Sequence, residues 1–202
     1  GVLLLALMVL LSAAFLTYNA SDASWNSANT ATAINILGAP GAIISDVLIQ
    51  MIGIANFLLV IVPSFWGVRL LTHSSIEKPF LRLIFLSIGV ILFSSSVART
   101  SVPEFWPTSS GLGGTLGLIV FDQTLLLLEP LGITGDILGY LLAFTGSIIV
   151  LWCFGAGMGE WARTIRNIFR HLKSLLLLTG KFIVVCLKKI GSGLKLTAKF
   201  AN

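Results

Sequence analysis

Few residues in this sequence could do chemistry, and their spacing decides what kind. The histidines, His73 and His171, are far apart, as are the cysteines, Cys153 and Cys186. A metal site needs three or four converging ligands, so no metal cluster is expected. No nucleophile–base arrangement stands out. The pattern G-x-x-x-x-G-K-[ST] is missing: the Gly-Lys pair at Gly180-Lys181 is followed by Phe182. Without a phosphate-cradling loop, ATP hydrolysis is not assigned to these residues. What remains is a set of polar groups in apolar surroundings: Asp46, Gln50, Asn56 and Arg99. At membrane depth such groups pair with one another, line a polar cavity or carry ions.

The elements that position them are apolar helices. The 202 residues are 56% hydrophobic and 10% charged, with a mean hydropathy of +0.99. A soluble domain carries about 25% charged residues. The composition is that of a membrane protein, and a span needs about 20 apolar residues. Four stretches meet or approach this: residues 2–16, 47–71 with Pro63 as a bend, 79–98 with Pro79 near its start, and 137–158. The first is short, and the sequence opens at Gly1 inside it, as a fragment or trimmed chain would. A fifth run, 116–128, is short, contains Asp122 and Gln123, and ends at Glu129-Pro130. It is expected to be interfacial or re-entrant. An alternative for residues 1–17 is the apolar core of a signal peptide, with Ser12-Ala13-Ala14 offering small residues for cleavage.

Charge sets the orientation. Arg69, Lys78 and Arg82 flank the loop between the second and third spans. Arg163, Arg166, Arg170, Lys173, Lys181, Lys188, Lys189, Lys195 and Lys199 follow the fourth. With four spans, these twelve of the 13 basic residues lie on one side, which the positive-inside rule makes the cytoplasm. A fifth crossing at 116–128 would separate the tail from the other three. Both termini are therefore expected in the cytoplasm. The loop beginning Tyr18-Asn19-Ala20-Ser21-Asp22-Ala23-Ser24-Trp25 then lies outside, as does 100–135, and neither contains Lys or Arg. Neither cysteine falls in these outer loops, so no disulfide framework is expected.

The tail, 161–202, reads as basic amphipathic helices. At about 100° per residue, Arg163, Arg166, Arg170, Lys173, Lys181, Lys188, Lys195 and Lys199 fall within roughly 80° of arc. Leucine, isoleucine, valine and phenylalanine occupy the opposite face, which suits an anionic inner leaflet. DNA phosphates are the alternative partner for the same cations. Gly180 and Gly191-Ser192-Gly193 divide the stripe into pieces. Gly135-x-x-x-Gly139 and Gly155-x-x-x-Gly159 have the spacing that lets membrane helices approach closely.

Tyr18-Asn19-x-x-Asp22-x-Ser24-Trp25 is followed by Gly38-x-x-Gly41-Ala42-x-x-Ser45-Asp46 at the entry to the second span. In this order the residues resemble the N-terminal four-span domain of the FtsK/SpoIIIE family of septal DNA translocases. The Gly111–Gly117 segment, Gly-Leu-Gly-Gly-Thr-Leu-Gly, is similar to that family too. The resemblance covers about residues 1–160. Ala20 and Ala23 stand where the family usually has proline. The resemblance implies a four-span domain, and with run length and charge the expected fold is an all-α membrane domain: four transmembrane helices, a periplasmic interfacial or re-entrant helix and a basic amphipathic cytoplasmic tail. It implies a non-catalytic membrane-anchoring and assembly role in the bacterial inner membrane at the division septum, coupling chromosome segregation to cell division. A hexamer, division-protein partners and membrane lipids come with it. ATP, magnesium and DNA would belong to a motor outside these residues.

The sites expected are therefore non-catalytic, with no cofactor or metal in this chain. Tyr18, Asn19, Asp22 and Trp25 are candidates for a periplasmic partner contact. The bland reading of Tyr18, Trp25 and Trp106 is an aromatic belt at the headgroups. Asp46 and Arg99 are candidates for a structural polar pair, with Asp122 and Glu129 competing for Arg99. A small transporter or channel built on Asp46, Gln50, Asn56 and Arg99, or a scaffold without a motor, are the other functions these residues permit.

Overall fold

A computed structural model of the chain describes residues 1–25, 32–72, 75–104 and 106–156, together with Arg166, Arg170 and Lys173. The chain divides into two units after Gly155. The regular elements of the first unit are six α-helices, α1 (Val2–Leu16), α2 (Gly38–Ile52), α3 (Leu58–Leu71), α4 (Pro79–Ser96), α5 (Gly114–Leu128) and α6 (Gly135–Cys153), and two short 3₁₀ turns, Gly53–Phe57 and Glu129–Leu131. Their surfaces are largely apolar. On α1, Val2, Leu3, Leu7, Val9 and Leu10 are exposed while Met8, Ala14 and Phe15 are buried. A helix apolar on both its packed and its free face requires an apolar surrounding. Gly38–Leu71, Pro79–Ser96, Gly114–Leu131 and Gly135–Cys153 are long and apolar enough to cross a membrane, and Val2–Leu16 is a shorter apolar helix. The fold is all-α, with the helices of a multi-pass membrane protein.

The element bounds differ from the expected spans at their ends. The last helix begins at Gly135 and ends at Cys153, because Thr134 caps its start in extended backbone and Gly155 adopts a φ of 75° after its end. The larger difference lies within 47–71. The bend placed at Pro63 is inside α3, and the helix breaks earlier, in a 3₁₀ turn over Gly53–Phe57. Gly53 has a φ of 57°. The break suits the glycine segment that presses into it: a Cβ at Gly53 would overlap the Leu112 carbonyl. Ile54 N–H, released from the helix ladder, donates to Leu112 O at 2.8 Å, and Asn56 Nδ2 donates to Gly53 O at 2.8 Å. Backbone freed at membrane depth is thus satisfied within the protein.

Helices α4 and α6 form an antiparallel spine. Gly89 lies against Val150, Gly146 against Phe93 and Leu92, and Gly139 towards the Ser96 carbonyl. Small residues at these crossings let the two backbones approach. At one end Arg82 donates to Glu77 O at 2.7 Å and to the Trp152 carbonyl, and lies 4.7 Å over the Trp152 ring. It thereby ties the start of α4 to the end of α6. At the other end α5 begins beside Ser94, where Gly117 leaves no room for a side chain. Phe121 and Ala98 then share a cluster with Leu138 and Leu142. Because Gly135 faces Phe121 and Leu125, α5 ends beside the same end of the spine at which it began.

Helix α1 runs antiparallel to α2–α3. Gly67 abuts Leu5, Phe15 meets Phe57 edge-to-face at 6.0 Å, and Tyr18 reaches Asp46. Trp66 on α3 joins this half to the spine through an Nε1–H donated to Cys153 O at 2.8 Å.

A braced loop and a charged cleft as candidate sites

The loop between α1 and α2 is held by its own polar side chains. Asn19 Oδ1 accepts from Ser21 N–H at 2.9 Å, turning the chain just after α1. Asp22 then accepts from Ile34 N–H at 2.7 Å and from Asn35 N–H at 2.9 Å, one bond to each carboxylate oxygen. The carboxylate thus closes both ends of the loop. Asp22 is 4% exposed, so the isolated cost of its burial is offset by charge-assisted bonds of about 1.5–3 kcal/mol each. Asn35 Nδ2 donates to Ala14 O at 2.9 Å and to Thr17 O at 3.3 Å, satisfying carbonyls at the end of α1. Helix ends leave such carbonyls without partners.

Below the loop lies a polar floor. Tyr18 Oη donates to Asp46 Oδ1 at 2.9 Å, and Gln50 Nε2 donates to the same oxygen at 2.6 Å. Asp46 is 5% exposed. Burial pushes the Tyr18 phenol above its ordinary value of 10.0, and donation to Asp46 and the charge of that carboxylate add to the rise. Ser45 Oγ donates back to Gly41 O at 2.8 Å, one turn from the same cluster.

These contacts divide the four residues expected to meet a partner. Tyr18 and Asp22 are turned inward and Asn19 is spent on a local turn. Trp25 is 79% exposed. Trp106 differs from it: its ring packs on the Met8–Phe15 cluster and its Nε1–H donates to Gly111 O at 3.0 Å. Asp46 and Arg99 are not brought together. Arg99 instead grips Asp122 through Nε and Nη2, with Nη2 at 2.7 and 2.9 Å from the two carboxylate oxygens. The reason is register: Arg99 follows the end of α4, against which α5 lies, whereas Asp46 lies against α1. Asp122 was already visible in the sequence as a competitor for Arg99, but sequence alone could not choose between it and Glu129. The role of Asn35 had no signal in the motif.

Arg99 borders an open cleft of about 530 Å³ whose lining includes Asp136 and Tyr140 but not Asp46, Gln50 or Asn56. Of the polar groups that suggested conduction, only Arg99 lines this cleft. Among the described residues, no group of three or more His, Cys, Asp or Glu could hold a metal ion. Cys153 is buried and free. Arg166, Arg170 and Lys173 are helical and exposed, while Arg163, Lys181, Lys188, Lys195 and Lys199 lie outside the described residues.

Comparison with known proteins adds to this geometry. The family described as the 4TM region of DNA translocase FtsK/SpoIIIE matches residues 1–169. The chain is similar to the DNA translocase FtsK of Azospirillum brasilense, with 34% identity over 83% of this chain and 26% of that protein. It is similar to that of Bradyrhizobium diazoefficiens, with 32% identity over 79% of this chain and 20% of the relative. For Agrobacterium fabrum the identity is 28% over 77% of this chain and 18% of the relative. The chain thus spans about a quarter or less of these relatives' length. No solved structure matches it.

Proposed function

The chain belongs to the family of 4TM regions of the DNA translocases FtsK/SpoIIIE, and from that premise we propose that it anchors and assembles such a translocase at the division septum. The observation that carries the proposal is the family match across 1–169, together with relatives named DNA translocase FtsK. A motor that pulls DNA needs a fixed point, or the reaction force moves the protein instead. Apolar helices held in the inner membrane provide that point. ATP, magnesium and DNA belong to a motor in the longer protein, and the anchor contributes no catalytic group or cofactor site.

The orientation proposed has both termini in the cytoplasm, with α1, α2–α3, α4 and α6 as the crossings. Helix α5 then rests at the outer surface, which is supported by its beginning and ending at one end of the α4–α6 spine. Arg82 sits at the opposite end, on the side where Arg69 and Lys78 also fall. Arg166, Arg170 and Lys173 are spaced to share one helical face, which supports an inner-leaflet contact for the tail. The subunits assemble as a hexamer through their apolar faces.

Trp25 is the residue of the loop that meets other division proteins. A braced loop presenting one exposed indole has the form of a binding anchor, since tryptophan is enriched among the residues that dominate interfaces. Trp25→Ala in the full-length protein, followed by a fluorescent fusion, tests this. Unchanged membrane abundance with loss of the septal band is expected. Normal septal recruitment would remove the contact, and absence of any septal signal from the unsubstituted protein would remove the septal role.

A further inference from the structure

The Arg99 cleft has a chemistry that neither the anchor role nor the loop uses. Arg99 is 63% exposed on its side chain, yet its guanidinium is not free to swing. Asp122 holds Nε and Nη2, while Nη1 has no partner among the described residues. Asp136, in the first turn of α6, is also exposed and without a hydrogen-bond partner among the described residues. Both side chains line the same cleft. One free cationic edge and one free carboxylate therefore face a shared space, and Asp122 keeps the cation oriented without occupying its remaining donor.

Apart from Ser96 and Thr100, the rest of the cleft is apolar. Phe93, Phe121 and Tyr140 contribute to its walls, and Gly139 lines it without a side chain. Its volume, about 530 Å³, falls within the roughly 300–1,000 Å³ of small-molecule sites. Tyr140, in its lining, is 78% exposed, and Phe144, one turn further along α6, is exposed too. The apolar run of α4 gives way here to Arg99, Thr100 and Ser101. Polarity thus rises along the cleft in the direction in which a bilayer changes from chains to headgroups.

We propose that this cleft is a binding site for a zwitterionic phospholipid bearing a primary ammonium. The phosphate accepts from Arg99 Nη1, the ammonium donates to Asp136, and an acyl chain lies along Phe93 and Tyr140. An anionic headgroup without the amine would set its charge against Asp136. A choline headgroup has no N–H to donate to that carboxylate. The assignment holds in either leaflet, because it depends on the end of α4 and not on which side of the membrane that end faces.

Native mass spectrometry of the detergent-solubilised full-length protein tests the assignment, with equal additions of phosphatidylethanolamine, phosphatidylcholine and phosphatidylglycerol. Retention of phosphatidylethanolamine over each of the others by roughly threefold is expected for one partly exposed ion pair. Asp136→Asn, at a side chain without a partner in the fold, should abolish the discrimination between ethanolamine and choline by lowering retention of phosphatidylethanolamine to that of phosphatidylcholine. No preference in the unsubstituted protein, a preference for phosphatidylglycerol, or an ethanolamine preference that survives Asp136→Asn would each overturn the proposal.

Discussion

At the scale of single residues, the loop motif is chiefly a set of internal braces. Tyr18, Asn19 and Asp22 all spend their polar atoms on this chain. The consequence is clearest for Tyr18. Its phenol titrates above its ordinary value because burial and the Asp46 carboxylate both disfavour the phenolate. An acid whose pKa is raised on folding stabilises the fold below its unfolded value and loses that contribution as pH rises. Thermal stability in detergent should therefore fall as pH rises above about 10, the unfolded value of a tyrosine. Tyr18→Phe should flatten that fall. It should also cost about 1–3 kcal/mol at neutral pH, because Asp46 loses a donor while remaining buried. Thermal denaturation of both proteins from pH 7 to 11 checks this. Equal slopes would show that Tyr18 does not control the alkaline limb.

At the scale of elements, glycines decide how α5 meets its neighbours. The aligned apolar runs were legible in the sequence, since period and length separate helix from loop. The break at Gly53–Phe57 was not, because its partner, Leu112, is remote in the chain and a local window cannot include it. Gly117 tests this junction from within α5: a Cβ there would lie 2.8 Å from the Ser94 carbonyl oxygen. Backbone atoms cannot rotate aside as a side chain can. Gly117→Leu should push α5 off α4 and destabilise the protein by roughly 1–3 kcal/mol, in the range of core overpacking. Limited proteolysis is expected to cut the 97–113 connection faster than in the parent protein. Gly132→Ala, where open space surrounds the position, serves as a comparison whose cost comes from its φ of 80° alone. Protection of α5 unchanged by Gly117→Leu would mean that the Ser94 contact does not hold it.

At the scale of the whole molecule, the question is how often the chain crosses. Length and composition admit Gly114–Leu131 as a crossing, whereas the charge distribution and the spine register favour α5 at one surface. Cysteines introduced one at a time at Ser110, Leu131 and Glu77, in a chain with Cys186→Ser and the buried Cys153 retained, separate the two. An impermeant maleimide added to spheroplasts should label Ser110→Cys and Leu131→Cys. Glu77→Cys should react only after the membrane is opened. Labels at 110 and 131 that differ in sidedness would make α5 a crossing helix and return the tail to the outer side. The sequence by itself determined the membrane class, the approximate helices and the family, because each is written in composition, apolar run length and the order of motif residues. Only the tertiary structure decided which polar groups pair. Asp122 rather than Asp46 holds Arg99 because packing, not sequence distance, sets which charges meet, and Asp22 faces its own loop because two backbone N–H groups need an acceptor once water is excluded.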